Sequence, residues 1–429
     1  MTYANDVFER SVREWLHADA EHRVPDHLDA VLRLTSVQRQ WPAWSSLERW
    51  LPMDTTFRPR FFQTPRLSQV LLVGAVILAL VAALLLYAGS QQHRLPPPFG
   101  VARNGALVSS ADGDILTIEP STGRRTTVVG GDTFDFGPLF SRDGTRFSFL
   151  RVPPSGCGKP DCGLILAVAN ADGTAIRELT PGLERLDSVD WSPDGSRIAI
   201  LTAPPDGPGH TIAIVAVDGS GMHALDLGRP AVEPNWLPPS GDEIVFRGEQ
   251  LSADDPPAGI FAVRSDGTHL RPILTRATDY RSPAVAPDGH AVTYQDTGPD
   301  NIFQVHILDL RTGEDRVLPR PADTAALGAV FSPDGRLVVY IRAYPDNTIQ
   351  LAVAPADGSS TGTAIGPHAP FLGPEGPTIN NYLWSPDGTA ILANYDADKA
   401  ARLVPIDGSP AVELARGDLA FPAYQRLAP

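Results

Sequence analysis

Cysteine occurs only twice in 429 residues, at Cys157 and Cys162. Two thiols fall short of the four ligands of a structural zinc site and cannot build a disulfide framework. Positive charge is also short. There are 35 Lys and Arg against 50 Asp and Glu, a net charge of −15. Before residue 70, nine Arg offset nine Asp and Glu, so the remaining chain carries the whole excess, 26 basic against 41 acidic residues. Such a chain lacks the basic patch that nucleic-acid binding needs. Lysine is confined to Lys159 and Lys399; genome composition accounts for that bias and it excludes nothing. Catalytic signatures are missing as well. There is no phosphate loop, His-Glu-x-x-His or EF-hand loop. No Gly-x-Ser-x-Gly elbow lies between a strand and a helix, and no α/β segment follows to hold one. The expectation is a chain with no catalytic residues, metal or cofactor, and single loop residues such as Asp206 and His210 read as solvated turn residues. Apolar residues reach 42%, enough for a packed core.

Long apolar runs are absent with one exception. Residues 70–89, VLLVGAVILALVAALLLYAG, carry no charge. About 20 residues at 1.5 Å rise span roughly 30 Å, the thickness of a bilayer's hydrocarbon core. A secretory signal is the competing reading, but 69 residues precede the run, too many for an n-region. The expectation is a retained transmembrane helix over 67–90. Arg58, Arg60 and Arg66 precede it and Arg94 and Arg103 follow, which places the N-terminus in the cytoplasm and the bulk of the chain outside. Residues 91–104 form a Pro-rich linker.

From residue 105 to 429 the sequence repeats itself. An apolar or aromatic residue, a Ser-Pro-Asp-Gly-like turn and an alternating strand recur at Phe140, Trp191, Trp236, Val285, Phe331 and Trp384. A second landmark is a hairpin turn with Asp-Gly or Thr-Gly, at Gly123, Gly173, Gly219, Gly267, Gly313, Gly358 and Gly408, spaced 45 to 50 residues apart. Pro pre-sets the turn's φ, and Gly takes a backbone conformation that a Cβ forbids. Alternation such as Arg197-Ile198-Ala199-Ile200 gives a strand with one buried and one less buried face. Two hairpins per period make four strands, the signature of a β-propeller blade. The fold class is therefore mainly β, a propeller of seven blades with six as the alternative. Phe140, Trp191, Trp236, Phe331 and Trp384 are expected in the gaps between blades. Tyr424 stands where other copies have Trp or Phe, so the C-terminus is expected to supply the inner strand that the first hairpin lacks.

The Trp-Ser-Pro-Asp-Gly and Ala-Asp-Gly-Thr pattern resembles TolB-type propeller repeats, which also form the N-terminal part of dipeptidyl-peptidase-IV-like enzymes. The resemblance implies the fold and leaves function open, because propellers host many. Ahead of the membrane, residues 1–66 hold short amphipathic stretches: Phe8, Val12, Trp15 and Leu16 share one helical face, and Trp41, Trp44, Leu47 and Trp50 another. These read as a lipid-surface helix with a loosely folded leader, or as a docking site for a cytoplasmic partner. A helical cytoplasmic segment, one span and an external sensor domain resemble bacterial anti-sigma factors. His17, His22 and His27 have no nearby Cys, so the resemblance is to the zinc-free kind and implies a sigma factor as cytoplasmic regulator.

Two features remain as candidate sites. Cys157 and Cys162 suit a disulfide across a loop in an oxidising compartment; free thiols or a metal site are the alternatives. The connections after the Ser-Pro-Asp-Gly strands should emerge on one face of the disk, and carry Asp254, Asp255, Asp300, Asp346, Asp396 and Asp398. Asp and Pro are good turn residues; the other reading is an acidic recognition face for a cationic partner or a metal ion. The leading expectation is a membrane-anchored binding protein that takes a protein or small ligand outside and relays its state to the cytoplasm. A structural envelope scaffold is second, and a lyase or hydrolase working in the propeller channel is third.

Overall fold

The computed structural model describes residues 74–80, 97–152, 163–203, 209–252, 257–275, 281–373, 376–377, 379–396, 399–416 and 420–428. The chain divides into two units at Gly89 and Ser90. In the first, residues 74–80 are helical and lie within the long apolar run. Among the described residues no helix is long and apolar enough to cross a membrane. The other residues of the expected span, the N-terminal amphipathic stretches, Cys157 and Cys162, and Asp206, Asp254, Asp255 and Asp398 lie outside the described residues.

The second unit is built from seven antiparallel four-stranded sheets. It is a seven-bladed β-propeller, and the six-bladed alternative is set aside. In blades 2 to 7 the strands run from the inside outward in chain order, as in blade 3: Val189–Trp191, Arg197–Thr202, Thr211–Ala216 and Met222–Ala224. Blade 1 is composite. Its inner strand is Ala420–Leu427, followed outward by Arg103–Ala111, Asp114–Ile118 and Arg125–Val129. Tyr424 pairs with Leu107 across that junction, so the C-terminal strand closes the ring. A small hairpin, Leu372–Gly373 with Gly376–Pro377, is inserted between blades 6 and 7.

Each Ser-Pro-Asp-Gly turn joins the inner strand to the second. In blade 6 the Ser332 hydroxyl donates to Asp334 Oδ1 at 2.6 Å and accepts the Leu337 amide at 2.9 Å. Blades 2, 3 and 7 use Ser141, Ser192 and Ser385 in the same way. The Gly335 N–H closes the turn on Ser332 O at 2.9 Å with φ at +73°, a conformation in which a Cβ is strained. The Ser, Asp and Gly of the motif therefore each make a bond that holds the turn, which explains its repetition.

The apolar core is divided among the seven seams between blades, one buried cluster to each. All six landmark aromatics face the preceding blade, with exposures between 1% for Trp191 and 9% for Trp384. The indoles also reach across. Trp191 Nε1 donates to Leu139 O at 3.1 Å, Trp236 Nε1 to Asp190 O at 3.0 Å and Trp384 Nε1 to Val330 O at 3.0 Å. Each acceptor immediately precedes the landmark of the neighbouring blade. The second strands differ from expectation: Ile198 and Ile200 face blade 2, while Ala199 and Leu201 face blade 4, and all four are buried. Alternation there separates two neighbours rather than core from solvent.

Trp191→Ala should cost about 3–5 kcal/mol, the range for a buried aromatic. Trp191→Phe, which loses the donor but keeps most of the volume, should cost about 1–2 kcal/mol; urea unfolding of both variants checks the order. Burial pushes the Asp194 and Asp334 carboxyls up, but hydrogen bonds, chiefly from Ser192 and Ser196 and from Ser332, outweigh it and hold both below the usual range. A depressed folded pKa stabilises above the unfolded value of about 3.9 and is lost as pH falls through the folded one. Stability should therefore decline below about pH 4, and Ser332→Ala should flatten that decline in an acid-unfolding series.

Candidate binding face

Successive strands alternate in direction, so the connections from second to third strands share one face with the connections between blades. This loop face is built on repeated turns. In blade 5 Gly298 N–H bonds to Ile302 O at 2.9 Å, and in blade 6 Tyr344 N–H bonds to Thr348 O at 2.8 Å. Asn301 and Asn347 hold left-handed φ values of 61° and 67° in the two turns, a conformation that Asn tolerates. Asp300 Oδ1 accepts the Ile302 amide at 3.1 Å, and Asp346 Oδ1 accepts the Thr348 amide at 3.0 Å. In this pattern the carboxylate caps its own turn.

Asp300 also receives a hydrogen bond from the Arg320 guanidinium. Asp346 is exposed, and its carboxyl is lowered by the Thr348 hydroxyl and amide. Asp396 is exposed as well, with its carbonyl accepting the Lys399 amide at 3.3 Å. The described candidates thus sit on separate turns of blades 5, 6 and 7. Among the described residues no group of three His, Cys, Asp or Glu could hold a metal ion.

Behind the turns lies a layer of ion pairs. In blade 2 Arg151 Nε and Nη2 grip Asp135 at 2.8 and 2.9 Å, and Nη1 reaches Glu178 at 3.1 Å. Asp135 is fully buried, and its hydrogen bond raises the Arg151 pKa further. In blade 4 Arg247 contacts Glu233 at 3.4 Å and Glu249 at 2.9 Å. In blade 3 His210 Nε2 lies 2.8 Å from Asp187 Oδ2 and 3.3 Å from Arg185 Nη1, so His210 belongs to a polar cluster rather than standing alone in solvent. Blade 6 departs from the others: Arg342 is buried, but its acceptors are the Tyr340 hydroxyl and the Thr361 and Gly362 carbonyls, all uncharged. A signal for this layer was present in the sequence. Arg151, Arg247 and Arg342 each follow their landmark, Phe140, Trp236 or Phe331, by eleven positions. Their partners lie too far along the chain for spacing to reveal.

The inner strands carry bulges three residues before the landmark. Gly137 and Gly328 take φ of 63° and 60° there. In blade 4 the same place is held by Glu233 at φ 54°. For a residue with a Cβ that conformation costs about 1–2 kcal/mol, and its carboxylate is held by Arg247.

One stretch does spell Gly-x-Ser-x-Gly, at Gly358-Ser359-Ser360-Thr361-Gly362. It is the turn between Thr348–Pro355 and Thr363–Pro370 in blade 6, with no helix after it. A nucleophile elbow needs a strand-to-helix turn, so this match is a hairpin.

A TolB homologue of Chlorobium luteolum is 29% identical over 149 residues, 34% of this chain and 31% of the relative. The match therefore spans about a third of that relative's length. Among solved structures, an oligogalacturonate lyase in complex with manganese aligns with a TM-score of 0.54 at 15% identity, covering 73% of this chain and 93% of that one. The β-propeller domain of the Trilobed protease from Pyrococcus furiosus aligns with a TM-score of 0.53 at 14% identity, covering 75% and 99%. At such identities the likeness is one of fold. No protein-family model matches the chain.

Arg151→Met should destabilise the propeller by about 3–5 kcal/mol, because it leaves Asp135 charged and buried without its partner. Adding Asp135→Leu should recover much of that loss. Chemical denaturation of the single and double variants measures both.

Proposed function

We propose that this chain is a single-pass membrane protein of the bacterial envelope: residues 1–66 lie in the cytoplasm, 67–90 cross the membrane, and the propeller stands outside. The propeller binds a protein or small ligand through its loop face. The observation that carries this reading is the loop face itself. It presents exposed carboxylates at Asp346 and Asp396 on short turns of blades 6 and 7, and on the same face ion pairs fix the strand ends of blades 2, 3 and 4. A cationic patch on a partner meets such a surface with little reorganisation. The likeness to a TolB homologue supports a protein-binding, envelope-associated role, and the apolar run over 70–89 supports the anchor. The N-terminal segment then relays occupancy to a cytoplasmic regulator such as a sigma factor. The neighbouring lyase shares the fold at 15% identity, which does not transfer its chemistry.

A reporter fused after Pro429 should be active only outside the cytoplasm; activity confined to the cytoplasm would reverse the topology. Partners crosslinked to the full chain should be lost from Asp346→Asn/Asp396→Asn, while stability changes by no more than about 0.5 kcal/mol. Full function after replacing residues 1–66 with an unrelated anchor would reduce the protein to a scaffold.

A further inference from the structure

Among the described residues, the seam between blades 7 and 1 has the smallest buried apolar cluster: Leu107, Leu116, Ile118, Leu392 and Tyr424. The seam between blades 3 and 4 holds twelve. A cleft of about 650 Å³ opens at the thin seam. It lies on the face of the Ser-Pro-Asp-Gly turns, opposite the loop face, and does not depend on the reading given to that face.

Two features make this cleft more than a packing gap. The first is an open strand edge. Arg103–Ala111 pairs with Asp114–Ile118 only from Leu107 onward. Residues 103–106 continue past that ladder, held on the other side alone by Ala420–Leu427. Alternate backbone groups of an antiparallel strand point to opposite edges, so this stretch keeps an unpaired edge, and Asn104, Gly105 and Ala106 line the cleft. The second is Tyr424, which also lines it and is 8% exposed. Its hydroxyl makes no hydrogen bond among the described residues, yet it is not sealed from the cleft. Burial, with the Asp387 charge nearby, pushes its pKa up to about 12, so the phenol keeps its proton at physiological pH. The hydroxyl is therefore a protonated donor that faces the cleft and is free of other protein partners among the described residues, so a ligand acceptor can take the place of water there.

We propose that the cleft takes an extended peptide segment of a partner protein, which adds as a short strand to residues 103–106 and accepts a hydrogen bond from Tyr424 Oη. This is strand addition to a free sheet edge. The segment is apolar where it crosses Ile118 and Leu403, which line the cleft. It is uncharged at the rim, because Glu119 and Arg124 already neutralise each other at 2.9 Å. The lining offers no aromatic face other than the nearly buried Tyr424 ring, which favours a peptide over a sugar.

Random eight-residue peptides displayed on phage are selected on the full chain in detergent, with a Leu403→Trp chain as the counter-target. Enriched peptides should bind Tyr424→Phe about tenfold more weakly, the effect of one lost donor, and should not bind Leu403→Trp, whose indole fills the cleft. They should slow amide exchange at residues 103–106 and bind Asp346→Asn as tightly as wild type. Matching melting temperatures show that the variants are folded. No enrichment over the counter-target, or peptides indifferent to both cleft variants, overturns the proposal. Peptides lost on Asp346→Asn instead would belong to the loop face, which also overturns it and leaves that reading standing.

Discussion

Six of the seven blades set one aromatic side chain, at the end of the inner strand, into the seam with the preceding blade. Where that residue is Trp, the ring fills the seam and its N–H donates to the preceding blade's backbone, as Trp191 does to Leu139. Apolar filling alone would let neighbouring sheets slide, because it has no direction. The indole bond adds register, and it does so at the narrow inner end of the seam. The Ser-Pro-Asp-Gly turn follows at once and fixes where the next strand begins. Seam and turn are therefore adjacent in sequence, and this is why one short phrase could be copied around a ring.

That adjacency explains what the sequence made legible. Fold, blade number and closure all rest on local signals: a turn, an aromatic four residues before its Gly, and a period near 47 residues. Tyr424 could be assigned to the inner strand of blade 1 because it repeats the local pattern without needing its partner. In the charged layer behind the loop face the arginines left a regular spacing, but their pairing was not legible, because the partners come from different strands, such as Glu178 on Arg151. The two-sided burial of Ile198 to Leu201 was missed for a related reason. A period of two looks the same whether the second face meets water or another sheet.

The loop-face aspartates show how one residue type serves two purposes. Asp300 and Asp346 cap their turns with one oxygen each, so turn chemistry accounts for their presence. It does not account for their charge, since Asn could cap equally well. The strain at Glu233 points the same way. A glycine would relax the bulge, as at Gly137 and Gly328, but would remove the carboxylate that meets Arg247.

Closure by the C-terminal strand governs how the ring comes into being. The Arg103 side chain bonds Ala428 O, 325 positions away, whereas most other strand pairs join neighbours in the chain. Hairpins of that kind form quickly, and the distant junction carries the entropy of a very long loop. Blades 2 to 7 can therefore assemble as an arc while blade 1 waits, its strand edge bare, for the final residues to emerge. A chain that stops a dozen residues early is an arc that never closes, with open edges suited to pairing with another incomplete copy.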